Sequence, residues 1–320
     1  MVTKRAIVGL GNSGRSVIQY FATYFKAEDY LSTVTAFDTR KEPPGIEKLH
    51  IDYPELNTVF GDLNSELLAT QEQIILSPGV SIYEPAIQYA ISAGVEVIND
   101  IELFARAIKG DADKAAVVAV TGSNGKSTVV TLLAKMGDAA GWSVRAGGNL
   151  GVPALDLLSN SAEKVDLYIL ELSSFQLETD LSLAPKAAVL LNISADHLDR
   201  YRDIDHYGEI KGRIYSNAET LVYPLDIDGD EIEKLVESGN IRAKRSPYGG
   251  SGKGQQYSIQ EHSGNRWIFR GGERIIELDE VAMVGEHNYT NALAALSLGE
   301  AVNIPLNAML AALKEFRGLE

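Results

Sequence analysis

Lys126 and Ser127 sit near the end of the run Thr121-Gly122-Ser123-Asn124-Gly125-Lys126-Ser127-Thr128. An apolar stretch, AAVVAV, precedes the run, and a segment with Val129, Leu132, Leu133 and Met136 at helical spacing follows it. A strand, a glycine-rich turn and a helix make the setting in which a chain holds polyphosphate. The glycines let the backbone curl, the amides face the anion, the lysine neutralises it, and the serine hydroxyl meets Mg2+. The common form of this loop has a glycine at position 120, where this chain has Val120. A glycine-rich turn that merely precedes Lys-Ser is the plainer alternative. The flanking elements favour ATP binding through Gly122, Ser123, Asn124, Gly125, Lys126, Ser127 and Thr128.

Such a loop works with an acid near the metal. Glu171 ends the apolar run LYILE, where a charge needs a partner and Mg2+ is a suitable one. A carboxylate that merely emerges at a strand end is the alternative. Asp196, His197 and Asp199 follow another apolar run, AAVLLNIS, at the sheet edge where α/β proteins bind ligands. His197 reads equally as a metal ligand and as an ordinary loop histidine. Lys211, in GEIKGRIY, is by itself an unremarkable helix lysine.

A second glycine pattern opens the chain. Gly9-x-Gly11-x-x-Gly14 follows the short apolar run Ala6-Ile7-Val8 and precedes a helical pattern, the form of a dinucleotide-binding fingerprint. Asp38, in AFDTR, ends the next strand, as an acid facing a ribose hydroxyl would. On this local pattern NAD is the favoured ligand. Against it stand the separate ATP site and the lack of an obvious hydride-transfer constellation. Asp38, Thr39 and Arg40 with Ser77, Pro78, Gly79 and Val80 suit a UDP-linked ligand equally well, because a Rossmann-like fold sets only the shape of the site.

The elements that must position these residues alternate in type. Strands are expected at KRAIVGL, TVTAFD, TVFGD, EQIILS and VEVIN, with helices near 13–25, 64–70 and 84–93. Such alternation implies a parallel α/β sheet. Asn99-Asp100-Ile101-Glu102 has the form of a capping box. The polar run KGDADK at 109–114 marks a boundary, giving an N-terminal Rossmann-like domain over 1–110 and a P-loop-like α/β domain over 111–320. Buried strands are expected at DLYILEL, KAAVLLNI and ETLVYP. The Gly-rich stretch from about 240 to 284 reads as a small antiparallel appendage, and helices are expected near 288–302 and 306–316.

The 320 residues hold 29 basic and 44 acidic side chains, a formal charge of −15, and no cysteine. Broad nucleic-acid binding wants the opposite sign. Disulfides and thiolate metal sites are excluded. No apolar run is long enough to span a bilayer. A cytoplasmic protein without membrane insertion is expected.

Together, TGSNGKST, GGNLGVPAL, LELSSFQLE, LNISADHLDRY, the lysine of GEIKGRIY and GEHNYTNALAA resemble, in this order, the ATP-dependent Mur ligases of peptidoglycan synthesis. LELSSFQLE, DIELF, GLGNSG and DTR are most similar to the D-glutamate-adding branch. The resemblance spans essentially the whole chain. It implies ATP and two Mg2+ sites, with Lys126, His197 and Lys211 catalytic and Ser127, Glu171, His197 and a carbamylated Lys211 serving metal. Asn288 and Asn291 would approach the adenine. Asn149 and His197 would lie near the muramoyl substrate, and Asn12, Ser13, Asp38, Thr39, Arg40, Ser77 and Gly79 would surround UDP. The implied reaction joins D-glutamate to UDP-N-acetylmuramoyl-L-alanine through an acyl phosphate, on a monomer.

Family members continue past the FRGL segment into a third domain carrying the amino-acid site. A chain ending at EFRGLE, with Leu319-Glu320 suited to a vector-derived junction, is therefore expected to bind UDP-substrate and, weakly, ATP, but not to complete ligation. Another Mur ligase, a folate-type amide ligase and an NAD-binding oxidoreductase or regulator remain as alternatives.

Overall fold

The computed structural model describes residues 4–25, 30–109, 115–149, 151–158, 164–196, 199–225, 229–238, 242–250 and 256–319. Most of the boundary run KGDADK lies outside them. The chain divides into two compact units. One comprises residues 1–110 with 153–159 and 178–182, and the other the remainder. Two short segments from beyond the expected boundary thus group with the first unit. Hydrogen bonds within that unit fasten both. Ser16 Oγ donates to Asp156 Oδ1 at 2.6 Å, and Ser182 donates through N and Oγ to the Glu102 carboxylate at 2.6 and 3.0 Å.

In the first unit, β1 (Arg5–Val8), β2 (Val34–Asp38), β3 (Asn57–Phe60), β4 (Gln73–Leu76) and β5 (Glu96–Asn99) form a wholly parallel sheet ordered β3-β2-β1-β4-β5. The inner strands read as unbroken apolar runs because helices cover both faces. The helices are α1 (Asn12–Tyr24), α2 (Ile46–Asp52), α3 (Ser65–Ala69), α4 (Pro85–Ser92) and α5 (Asp100–Ile108). Asn99 caps α5, its side chain accepting from the Glu102 amide at 2.9 Å. Strand order reverses at β1, between β2 and β4. The C-terminal ends of β1 and β4 therefore flank the crevice where such sheets bind ligands. The Gly9–Gly14 loop leaves β1 there, and Ser77–Gly79 leaves β4.

Gly14 is required by packing. A Cβ at that position would lie 2.0 Å from the Gly9 carbonyl oxygen, whereas one at Gly11 would meet nothing within 4 Å. Gly14→Ala is expected to destabilise the protein by about 1–3 kcal/mol or more, through forced backbone displacement. A urea unfolding curve indistinguishable from that of the parent would refute this.

The second unit holds a nine-stranded sheet ordered β14-β13-β12-β11-β10-β9-β6-β8-β7. Its strands are β6 (Ala116–Thr121), β7 (Val144–Gly148), β8 (Leu167–Glu171), β9 (Ala187–Leu190), β10 (Thr220–Pro224), β11 (Lys244–Tyr248), β12 (Tyr257–His262), β13 (Asn265–Arg270) and β14 (Glu273–Glu277). Pairing is parallel from β7 through β12 and antiparallel for β12-β13-β14. The antiparallel hairpins expected in the Gly-rich stretch form the edge of this same sheet. β11 and β12 meet at a single register pair, Tyr248 and Tyr257.

Helices α6 (Lys126–Ala139), α7 (Ile204–Gly212), α8 (Gly229–Ser238), α9 (Glu286–Ala301) and α10 (Leu306–Glu315) complete the unit. α9 is buried all round from Asn291 to Gly299, so its apolar residues show no stripe. It shares one core with β6, β8, β9, α6 and α10. Strands β7 and β11 and helices α2 and α8 are not among the expected elements. β7 reads VRAGG and β11 reads KRSPY, neither of which carries an apolar signal.

Candidate active site

β6 lies between β8 and β9, so its C-terminal end is the point at which strand order reverses in the second sheet. The phosphate-type loop emerges there. Gly122 (φ +156°) and Gly125 (φ +85°) hold backbone conformations that suit glycine, and Gly125 caps α6. A Cβ on Gly125 would lie 2.5 Å from Asn291 Oδ1, so this glycine also lets α9 approach the loop. The first-turn amides of α6 lack helical partners and, with the helix dipole, favour an anion. Thr128 stands half-buried in that turn.

Lys126 Nζ donates to the carbonyls of Gly122 and Ser123 at 2.9 and 3.0 Å. Burial lowers its pKa, while Glu171 and Asp196 oppose the shift. Ser127 Oγ donates to Glu171 Oε2 at 2.8 Å, and Asn149 Nδ2 donates to Glu171 Oε1 at 3.1 Å. Asn149 also donates its amide to the Glu171 carbonyl at 2.8 Å. Asn149 therefore braces a carboxylate that is only 3% exposed.

Lys211 is 2% exposed and lies on α7, with Nζ donating to Gly122 O at 3.0 Å and lying 3.4 Å from Thr121 Oγ1. Burial, then the like charge of Lys126, brings its pKa down to about 7. Its ammonium also lies 4.8 Å from the centroid of the Tyr207 ring. Two ammonium groups and one buried carboxylate thus converge on the loop.

A cavity of about 590 Å³ opens beside the loop, with Asn124, Asn192, Pro224, Tyr248, His287 and Asn291 in its wall. That size suits a small-molecule ligand. Asn291 is buried, while Asn288 turns to the helix start, where Nδ2 donates to Val284 O at 2.9 Å. Asn192, Pro224, Tyr248 and His287 are not among the residues to which the sequence points. Tyr248 gives no signal there, because it lies in a strand whose sequence hides it. His197 lies outside the described residues.

In the first unit, Asn12 and Ser13 open α1, whose first turn carries no acidic residue. Thr39 and Gly79 are exposed at the strand ends. Ser77 Oγ donates to Gly9 O at 2.6 Å, closing the β1 turn against the β4 turn. Asp38 is 3% exposed and takes four hydrogen bonds. Its Oδ2 accepts from Leu10 N and an Arg40 terminal nitrogen, both at 2.8 Å. Its Oδ1 accepts from Arg40 N at 2.9 Å and Arg40 Nε at 2.8 Å.

These contacts fill the roughly four lone-pair directions of a carboxylate. Asp38 therefore fastens the glycine loop and presents Arg40, and none of its acceptor capacity is left for a ribose diol. Hydrogen bonding from Arg40 holds its pKa at about 2, below the usual 3.8. A depressed folded-state pKa contributes stability that is complete above about pH 5 and is lost as pH falls through 3.8 toward about 2. The half-exposed Arg40 is partly screened, so the contribution is set at about 1–2 kcal/mol. Asp38→Asn is expected to lower stability by that amount at pH 7 and to flatten the acid limb of a stability–pH curve. An unchanged acid limb would count against this.

A family model described as the Mur ligase middle domain matches residues 120–299, and one described as Mur ligase MurD-like, N-terminal domain matches residues 3–99. The chain is 44% identical over 313 residues to UDP-N-acetylmuramoylalanine–D-glutamate ligase of Nitrosococcus oceani, covering 98% of this chain and 65% of that protein. It is 43% identical over 314 residues to the protein of the same name from Haemophilus influenzae, covering 98% and 67%.

Among solved structures, UDP-N-acetylmuramate:L-alanyl-γ-D-glutamyl-meso-diaminopimelate ligase from Neisseria meningitides has the same fold at 16% identity, with a TM-score of 0.62 and full coverage of both chains. UDP-N-acetylmuramate–alanine ligase from Thermotoga maritima gives a TM-score of 0.56 at 22% identity, covering 99% of this chain and 69% of that one. The chain spans about two thirds of the length of the curated relatives it matches. With both family models matched in sequence order and identities above 40% over almost all of its residues, the chain belongs to the Mur ligase family.

Proposed function

We propose that the chain carries the UDP-substrate and ATP sites of an ATP-dependent amide ligase, a cytoplasmic monomer that joins D-glutamate to UDP-N-acetylmuramoyl-L-alanine. The observation that carries this reading is the convergence of Lys126, Ser127, Glu171 and Lys211 on one loop at a strand-order reversal. In the reaction, the terminal carboxylate oxygen of the UDP-substrate attacks the γ-phosphorus and ADP leaves. The amine nitrogen of D-glutamate then forms the C–N bond as the acyl C–O bond to phosphate breaks, and the amine's proton leaves to solvent. Lys126 and the first-turn amides of α6 neutralise the transferring group.

The residues present fit Mg2+. A hydroxyl and a buried carboxylate 2.8 Å apart are hard oxygen donors facing the phosphate cradle. Among the described residues no group of three or more His, Cys, Asp or Glu could hold a metal, and water and nucleotide oxygens would complete the shell of an ion held by Ser127 and Glu171. When bound, Mg2+ draws charge from the phosphate oxygens; Ser127 and Glu171 would hold it, with His197 serving a second ion. The cavity beside Asn291 would take the adenine, and the Gly9, Asp38–Arg40 and Ser77–Gly79 loops would take UDP.

Lys211 suits carbamylation. With a pKa brought down to about 7, much of it is free amine near neutrality, the form whose nitrogen attacks CO2 while a proton leaves to solvent. The resulting anion would turn repulsion from Lys126 into attraction. Incubation with 13C-bicarbonate is expected to give a carbamate resonance in the parent protein that disappears in Lys211→Arg. A resonance surviving in the variant would refute the assignment.

Calorimetric titration with UDP-N-acetylmuramoyl-L-alanine, and separately with NAD, tests the first unit. Heat from the UDP-substrate alone supports the ligase reading; heat from NAD alone overturns it.

A further inference from the structure

Hydrogen bonds from one side of the loop are already committed. Beyond the last β6–β9 pairing, Leu191 donates its amide to Thr121 O at 3.0 Å, and Ser123 donates its amide to Asn192 O at 3.1 Å. The Asn192 side chain then adds a further rung. Its Oδ1 accepts from the Asn124 amide at 2.9 Å, and its Nδ2 donates to the Asn124 carbonyl at 3.0 Å. This is a cyclic pair in which a side-chain amide takes the place of a neighbouring strand. One residue pair further on, the Ser194 amide donates to Ser123 Oγ at 3.0 Å.

We infer that Asn192 is a positioning residue that locks the outer half of the phosphate loop. The Ser123 and Asn124 amides are thereby withheld from phosphate, and binding falls to the first-turn amides of α6 with Lys126. The inference rests on the nucleotide reading proposed above, and it deepens that reading by separating the loop's two halves. The physical basis is the ordering of the loop before it binds. The pair is solvent-exposed, so without Asn192 water satisfies the Asn124 amide and carbonyl at little cost in stability, but the loop is no longer held and samples other conformations before it can close on an anion. Asn192 also stands in the cavity wall, so a direct contact with the nucleoside is the rival role.

The test compares the parent chain with Asn192→Ala and Asn192→Ser. Calorimetry measures binding of MgATP, adenosine and the UDP-substrate, and amide hydrogen exchange follows Asn124. The expected result has four parts: MgATP affinity falls about tenfold, adenosine and UDP-substrate affinities hold, melting temperature stays within about 2 °C, and exchange at Asn124 accelerates about tenfold or more. An equal loss for adenosine and MgATP would show that Asn192 touches the nucleoside, overturning the positioning role. Unchanged exchange at Asn124 would overturn it too. If the parent chain itself fails to bind MgATP, the nucleotide reading fails, and the exchange result alone decides whether Asn192 locks the loop.

Discussion

Replacing Lys126 with alanine is expected to weaken MgATP binding to this chain about 100-fold while leaving UDP-substrate binding unchanged. The lysine ammonium rests on the carbonyls of Gly122 and Ser123, and burial disfavours its charge. A polyphosphate supplies the compensating anion, so binding gains both the contact and relief of that burial cost. A hydrogen bond to a charged group is worth about 1.5–3 kcal/mol, which spans roughly 10- to 150-fold in affinity. Arginine at this position is expected not to restore binding. The site holds a compact ammonium against two carbonyls, and a planar fork of greater length does not reproduce it. Titration of both variants by calorimetry checks this, and parent-like MgATP affinity in Lys126→Ala would remove the phosphate role from the loop.

The second large effect concerns Glu171. Glu171→Gln keeps the volume and retains one acceptor, for Asn149, while its amide NH2 donates to the Ser127 hydroxyl, which can turn to accept; the negative charge is removed. The Mg2+-dependent gain in ATP affinity is expected to fall about 100-fold, because a neutral amide is a much poorer ligand for a hard cation. ATP affinity without Mg2+ should hold or rise slightly, since a carboxylate that repels the phosphates has gone. The opposite signs in the two conditions separate a lost metal ligand from general damage to the site. Equal losses with and without Mg2+ would point to damage and sink the assignment.

Much of the architecture is legible from local pattern. AAVVAV, DLYILEL and KAAVLLNI become β6, β8 and β9, and a parallel strand covered on both faces must be apolar along its whole length. Capping at Asn99 and the glycine needs of the phosphate-type loop are equally local, because turns and helix starts are set by a few neighbouring residues. The residue types able to bind phosphate and metal stand in the sequence at Lys126, Ser127 and Glu171 for the same reason.

Other features exist only after distant strands pair. Lys211 is one helix lysine among many until folding brings it onto the carbonyl of Gly122, 89 positions away. Burial there, beside a second lysine, gives it unusual acidity. Asp38 resembles a ribose acceptor in sequence, yet Leu10 and Arg40 consume its lone pairs. VRAGG and KRSPY become strands because the sheet beside them supplies partners, with no apolar signal of their own. The sequence by itself determined the kinds of chemistry available and the periods of the elements. Tertiary structure decided which donors meet which acceptors, because hydrogen-bond satisfaction and desolvation depend on neighbours that chain proximity does not specify.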